Sequence, residues 1–183
     1  MWMVDLFHGF EWTFRFSRTG GNLVTAWLEK EGGFKPTWII IHHSFTNDGV
    51  VKDWEAIKRF HMEVRGWKDI GYHMGIEKVA DKYEVLSGRA IGEGGAHALG
   101  FNAKSIGICL VGNFDDAPPP DDQLFLATSV CRELQRRFKI FRDQVIGHRE
   151  TYPILGEQVQ KSCPGKLFDM SNFRSRLLDK NSL

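Results

Sequence analysis

Trp38-Ile39-Ile40-Ile41-His42-His43-Ser44 is an uninterrupted apolar run that breaks into a pair of histidines. The run is rich in β-branched isoleucine and follows Pro36, a combination that predicts a buried β-strand. Successive side chains of a strand point to opposite faces, so His42 and His43 are expected on opposite sides of the sheet. The first feature this sequence predicts is therefore a buried strand that ends in a potential metal ligand.

Strands and helices alternate along the rest of the chain. Strands are predicted at residues 72–77, 83–87, 105–111 and 144–147. Helices are predicted from Asp53 to Gly66, from Asp121 after three prolines, and over residues 170–178. This alternation predicts an α/β fold, a single domain with a central β-sheet flanked by helices. The sheet is expected to be mixed, because the middle strands follow one another as a meander.

The domain is expected to span residues 36–183. Residues 1–35 are aromatic but weakly patterned, and Gly20-Gly21 and Gly32-Gly33 interrupt them. We expect this segment to be an N-terminal extension that packs on the domain.

Composition restricts the possible partners and location. The 183 residues are 42% hydrophobic and 26% charged, an ordinary globular balance, and the net charge of +1 argues against a chain built to bind nucleic acid. The N-terminus lacks the basic leader of a signal peptide. Without an apolar stretch near the roughly 20 residues of a membrane span, no membrane insertion is expected. We therefore expect a cytoplasmic protein.

The three cysteines are predicted to be free thiols. Cys109 lies in an apolar run and Cys131 on the apolar stripe of a predicted helix, so both are expected in the core. Cys163 precedes Pro164 in a loop and is the candidate for a reactive or metal-bound thiolate. Free thiols suit a reducing compartment.

His42, His148 and Cys163 are the candidate metal ligands. Two imidazoles and one thiolate suit zinc, and three protein ligands leave a fourth position open for water, as a hydrolytic site requires. A structural zinc site would need a fourth protein ligand and usually shows tight C-x-x-C or H-x-x-x-H spacing, which this sequence lacks. Spacing over so long a span is not specific, and unrelated histidines and cysteines stay open as the alternative.

Five motifs together point to a family. They are Ile40-Ile41-His42-His43-Ser44, Gly66-Trp67-Lys68-Asp69-Ile70-Gly71-Tyr72-His73, Gly95-Ala96-His97 with Asn102 and Ser105-Ile106-Gly107-Ile108, Gly147-His148-Arg149-Glu150, and Lys161-Ser162-Cys163-Pro164-Gly165. Their order from about residue 37 to about residue 170 resembles the type-2 group of zinc-dependent N-acetylmuramoyl-L-alanine amidases. That group includes phage lysins and peptidoglycan recognition proteins. The resemblance implies Zn²⁺ as cofactor, held by His42, His148 and Cys163.

The resemblance also implies roles for four further residues. Tyr72 and Lys161 match the family's catalytic tyrosine and lysine, and His97 and Asn102 match positions that line the substrate groove. The implied substrate is peptidoglycan or a muropeptide, cut at the amide between N-acetylmuramic acid and L-alanine, and the protein is expected to act as a monomer.

Alternatives from other functional classes stay open. One is a protein that binds muropeptides without cutting them. Inactive relatives typically have another residue in place of the thiolate ligand, whereas Cys163 is present here. Another is a thiol enzyme with Cys163 as nucleophile, although no C-x-x-C motif is present. Among amidases, a phage or prophage lysin that reaches the cell wall after release is expected, with a cytoplasmic muropeptide-recycling amidase as the rival.

Overall fold

A computed structural model describes residues 14–15, 35–46 and 53–182 of the chain. The strands are β1 (Phe14–Arg15), β2 (Trp38–His43), β3 (Met74–Val79), β4 (Lys82–Ser87), β5 (Ser105–Leu110) and β6 (Val145–Gly147). The helices are α1 (Trp54–Arg59), α2 (Asp121–Phe138), α3 (Thr151–Ile154) and α4 (Met170–Ser175). A π-helical segment, Phe60–Val64, continues α1, and short 3-10 turns complete the elements.

The strands form one mixed sheet in the order β1-β4-β3-β5-β2-β6. Strand β2 lies between β5 and β6 and is parallel to both, whereas β3 and β4 form an antiparallel pair. The expected α/β fold with a mixed central sheet flanked by helices is confirmed.

The alternation of side chains along β2 separates two layers of the core. Ile39 and Ile41 belong to the main apolar cluster, which includes the buried face of α2 and residues of α4. Ile40 faces the other way, towards Ala98 and Phe101. Helix α2 and helix α4 therefore cover one face. Helix α1, through Trp54, and the loops that precede and follow β3 and β4 cover the other.

His42 and His43 point to opposite faces, as the alternation predicts. His43 lies on the α2 side, where its Nδ1 accepts a hydrogen bond from the backbone N–H of Phe114 at 3.2 Å. His42 is 1% exposed and faces the loop side of the sheet. The expected burial of Cys109 and Cys131 in the core is confirmed, since both are 0% exposed.

Several element boundaries differ from the predicted ones. Strand β3 begins at Met74, so Tyr72 precedes the strand, and its carbonyl accepts a hydrogen bond from the backbone N–H of Arg89. Helix α1 begins as predicted, because the Asp53 side chain accepts a hydrogen bond from the N–H of Ala56 at 2.7 Å. Gly66, with φ of +67°, follows the π-helical segment, a conformation that glycine adopts without strain.

The predicted extension over residues 1–35 lies almost entirely outside the described residues, and its packing stays a prediction. Within the described ranges, the helices are too short or too polar to cross a lipid bilayer.

Candidate active site

The three predicted ligands converge at one end of the sheet. The potential ligand atoms of His42, His148 and Cys163 all lie within 4.8 Å of one another. The sulfur of Cys163 is 3.6 Å from Nδ1 of His42, and the two imidazole rings lie 4.7 Å apart. The register explains the histidine pair, because Ile41 of β2 is paired with Gly147 of β6. The next residues along these parallel strands are His42 and His148, which therefore leave the sheet side by side.

Arg149 fixes the loop that carries Cys163. Its backbone N–H donates to the carbonyl of Cys163 at 2.7 Å. Its guanidinium donates to the carbonyls of Ser162 at 3.1 Å, Phe168 at 2.8 Å and also Gly165. A planar group with five donors can satisfy several carbonyls at once, which a lysine ammonium does poorly. The residue after one predicted ligand thus holds the backbone of another.

Asp115 holds the same loop through two further hydrogen bonds. One carboxylate oxygen accepts from the hydroxyl of Ser162 and the other from the backbone N–H of Lys166, each at 2.7 Å. These two hydrogen bonds lower the pKa of Asp115 below its usual value, so its carboxylate is ionised at neutral pH.

Glu150 and Arg174 support His148. Glu150 accepts a hydrogen bond from the N–H of Gly147 at 2.7 Å and forms two hydrogen bonds with the Arg174 guanidinium at 2.8 and 2.9 Å. Tyr152 stacks on the His148 ring with an interplanar angle of 15°. The short turn that presents His148 is therefore tied to α4 and braced by an aromatic ring.

Tyr72 lies next to the predicted ligand His42. Its ring centroid is 5.0 Å from that of His42, and the Trp54 and His61 rings pack behind it. Burial, with the neighbouring Cys109 and Cys163 thiols, raises the pKa of Tyr72 well above 10, so the phenol is protonated at neutral pH. Tyr72 is therefore available as a hydrogen-bond donor.

Lys161 is exposed at the rim of the cluster. Burial lowers the pKa of His148 to about 4, with a smaller contribution from the positive charge of Lys161. Burial, with the charges of His148 and His97, likewise lowers the pKa of His42 well below 6.5. Both imidazoles are therefore neutral at pH 7, the state in which a ring nitrogen can bind a metal.

Burial also governs the thiol of Cys163. It raises the pKa of Cys163 to about 12, against smaller opposing effects from His43, Lys161 and Arg149. A thiolate at this position therefore requires a cation as a direct partner.

His97 and Asn102 lie beside the cluster, and their contacts are internal. Nδ1 of His97 is 2.9 Å from Nε2 of His42. The side-chain oxygen of Asn102 accepts from the backbone N–H groups of His97 and Ala98, both at 2.8 Å. Asn102 therefore holds the loop that carries His97. The prediction that the two residues contact substrate stays a prediction.

Several supporting residues of the site had no predicted role, among them Arg149, Asp115 and Cys109. Arg149 and Asp115 hold the Cys163 loop, and Cys109 lies beside Tyr72 because it is paired with His42 in neighbouring strands. Arg149 adjoins a predicted ligand in sequence, which is the only local signal. The other two act across contacts that no local pattern reveals.

Comparisons with known proteins agree with this geometry. Residues 32–166 match the family described as N-acetylmuramoyl-L-alanine amidase. The chain belongs to that family. Its resemblance to the type-2 amidases is thereby confirmed, and the match covers the three converging residues, Tyr72 and Lys161.

Individual relatives include recognition proteins and lysins. The chain is 32% identical over 136 residues to peptidoglycan-recognition protein LB of Drosophila melanogaster, covering 70% of this chain and 54% of that protein. It is 28% identical over 138 residues to the endolysin of Enterobacteria phage K11, covering 73% of this chain and 82% of that endolysin. It thus spans about half the length of the first relative.

The solved structure of the N-acetylmuramoyl-L-alanine amidase LysC from Clostridium intestinale has the same fold. The TM-score is 0.66 at 28% identity, with 78% of this chain and 85% of LysC covered.

Proposed function

We propose that this protein is a zinc-dependent amidase that hydrolyses the bond between N-acetylmuramic acid and L-alanine of peptidoglycan. The observation that carries the proposal is the convergence of His42, His148 and Cys163, with Tyr72 beside His42, in a chain of the amidase family. Its closest chemical precedent is a hydrolytic zinc site with three protein ligands.

The donor set fits zinc in chemistry and spacing. Tetrahedral zinc with bonds of about 2.0 Å to nitrogen and about 2.3 Å to sulfur separates those two ligand atoms by roughly 3.5 Å. The Cys163 sulfur and His42 Nδ1 are 3.6 Å apart. The imidazoles are neutral, and the buried thiol needs a positive partner before it ionises. His42, His148 and Cys163 would therefore hold the ion.

When bound, zinc would supply Lewis-acid chemistry, which polarises a carbonyl and lowers the pKa of a coordinated water to about 7. The protein's own groups would act on the charge that develops on the amide oxygen. The protonated phenol of Tyr72 would donate a hydrogen bond to that oxygen, and the ammonium of Lys161 would stabilise it from the rim. A single donor of this kind contributes on the order of 3 kcal/mol.

Digestion of purified sacculi tests the proposal. The expected result is release of stem peptides, identified by mass spectrometry as cut at the N-acetylmuramic acid–L-alanine amide, with loss of activity in chelator and recovery on addition of zinc. Tyr72→Phe should reduce release by roughly 100- to 1,000-fold. Tyr83→Phe, which alters a tyrosine packed in the α2-side cluster, should not reduce it. Muropeptide binding without release after zinc addition would contradict the proposal and indicate a non-catalytic recognition protein.

We further propose a phage or prophage setting, in which the amidase acts on the cell wall after release from the cytoplasm. The similarity to the K11 endolysin, of which the chain covers 82%, supports it. We retain residues 36–183 as the amidase domain and expect it to act as a monomer. Lysis of permeabilised cells, but not of intact cells, by added protein would support this setting, and a preference for soluble anhydro-muropeptides over sacculi would favour the recycling role.

A further inference from the structure

The His97 ring lies between His42 and Ser105 and touches both with its two nitrogens. Its Nδ1 is 2.9 Å from Nε2 of His42, and its Nε2 is 3.4 Å from the hydroxyl oxygen of Ser105. The same hydroxyl lies 2.8 Å from the carbonyl oxygen of Phe101. Three side chains and one carbonyl thus form a continuous chain of hydrogen bonds that ends at the predicted metal ligand.

The direction of each hydrogen bond follows from the carbonyl oxygen of Phe101, which is the last acceptor of the chain. A carbonyl oxygen only accepts, so the one proton of the Ser105 hydroxyl is donated to Phe101. The Ser105 oxygen is then free to accept from Nε2 of His97. A neutral imidazole carries one proton, and if that proton is on Nε2, the Nδ1 of His97 is an acceptor. His42 must therefore donate from its own Nε2, which leaves the lone pair on Nδ1.

We infer that His97 and Ser105 are positioning residues that fix His42 as the tautomer protonated on Nε2. The nitrogen left unprotonated, Nδ1, is the one 3.6 Å from the Cys163 sulfur. The carbonyl of Phe101 thus sets, through two side chains, which nitrogen of His42 is available to a metal. The consequence for zinc rests on the proposed function, whereas the tautomer is a property of the protein without metal.

The slot around His97 is shaped to hold its ring in this orientation. A Cβ on Gly95 would lie 2.4 Å from Cδ2 of His97, and a Cβ on Gly107 would lie 2.6 Å from its Cγ. Two glycines therefore let the loop and strand β5 approach the ring closely. Asn102 fixes the backbone N–H of His97 in addition. The ring is held by close packing, so its hydrogen bonds do not have to order it.

Zinc-binding histidines usually donate their second ring N–H to a fixed acceptor, and loss of that acceptor typically costs 10–100-fold in metal affinity. Here the acceptor is another imidazole, which could itself take either tautomer. Ser105 removes that ambiguity, because it leaves His97 with a single arrangement that satisfies every partner. This assigns a structural reason to the serine at the start of β5, which is 0% exposed.

The direct test is nitrogen-15 NMR of the histidine rings in the metal-free wild-type protein. The expected spectrum shows His42 with a pyridine-like Nδ1 and a pyrrole-like Nε2, and His97 in the same state. A proton on Nδ1 of His42 would overturn the inference. This measurement needs neither zinc nor activity, so an inactive protein with the expected tautomers would refute the proposed function and leave this inference standing.

Three variants extend the test to zinc affinity, measured by competition with a chelator of known affinity. His97→Phe keeps a ring but loses the acceptor, and should weaken zinc binding roughly 10–100-fold. In this variant His42 should no longer be held in the tautomer protonated on Nε2. His97→Asn returns an acceptor oxygen near the position of Nδ1 and should recover most of the loss. Ser105→Ala should weaken binding by less than His97→Phe.

His61→Phe is the matched control. This substitution also exchanges a buried imidazole for a phenyl ring near Tyr72. In the wild-type protein, however, Nδ1 of His61 accepts from the backbone N–H of Gly71, and the His61 ring has no hydrogen bond to His42. The substitution should leave the zinc affinity and the His42 tautomer unchanged. Equal zinc affinity in wild type and His97→Phe, or an equal loss in His61→Phe, would overturn the inference.

Discussion

Replacing Arg149 with lysine probes how strongly one guanidinium holds the Cys163 loop. The wild-type side chain donates to three carbonyls, those of Ser162, Gly165 and Phe168. A lysine ammonium is compact and is expected to keep one of these contacts. Loss of two half-buried, charge-assisted hydrogen bonds at about 1.5 kcal/mol each predicts a destabilisation of about 3 kcal/mol. For a protein of this size, the unfolding temperature should then fall by roughly 6–12 °C.

Thermal unfolding followed by circular dichroism measures the stability effect, and chelator competition measures zinc affinity. Arg149→Lys should lower both, zinc affinity by roughly 10-fold or more, because the loop carries Cys163. Arg132→Lys is the control, since Arg132 donates to a single carbonyl, that of Arg176, and not to the Cys163 loop. It should destabilise less and leave zinc affinity unchanged. An Arg149→Lys protein that unfolds within about 2 °C of wild type would refute the reasoning.

Three further substitutions separate metal binding, catalysis and packing. Cys163→Ala should abolish zinc retention on gel filtration, because losing a ligand costs more zinc affinity than the roughly 100-fold cost of losing a supporting contact. Full zinc content in this variant would disprove sulfur ligation. Tyr72→Phe should keep stoichiometric zinc but reduce turnover on sacculi by roughly 100- to 1,000-fold, the cost of one oxyanion donor, and unchanged turnover would remove Tyr72 from the mechanism. Gly107→Ala should lower the free energy of unfolding in urea by about 1–3 kcal/mol, because the added methyl would meet the His97 ring at 2.6 Å; wild-type stability would show that the ring can move aside.

Local patterns were sufficient to predict much of the architecture. The isoleucine run before His42 indicates a buried strand because continuous apolar, β-branched residues have few other stable placements. The start of α1 at Asp53 and of α2 after Pro120 could be predicted because caps and prolines act on their immediate neighbours. Motif order identified the amidase family, and the family comparison confirmed it.

The relations among the site residues depend on contacts between distant parts of the chain. His42 and His148 meet because β2 and β6 pair with Ile41 opposite Gly147, a register that no single segment encodes. Arg149 reaches carbonyls up to 19 residues away, and His42 reaches His97 across 55 residues. Hydrogen bonds of this kind form only after the sheet has brought their partners within about 3 Å, since their geometry tolerates little error. Residue types and motif order therefore indicate which groups take part, whereas the packed sheet sets which nitrogen of His42 carries the proton and which side chains hold it there.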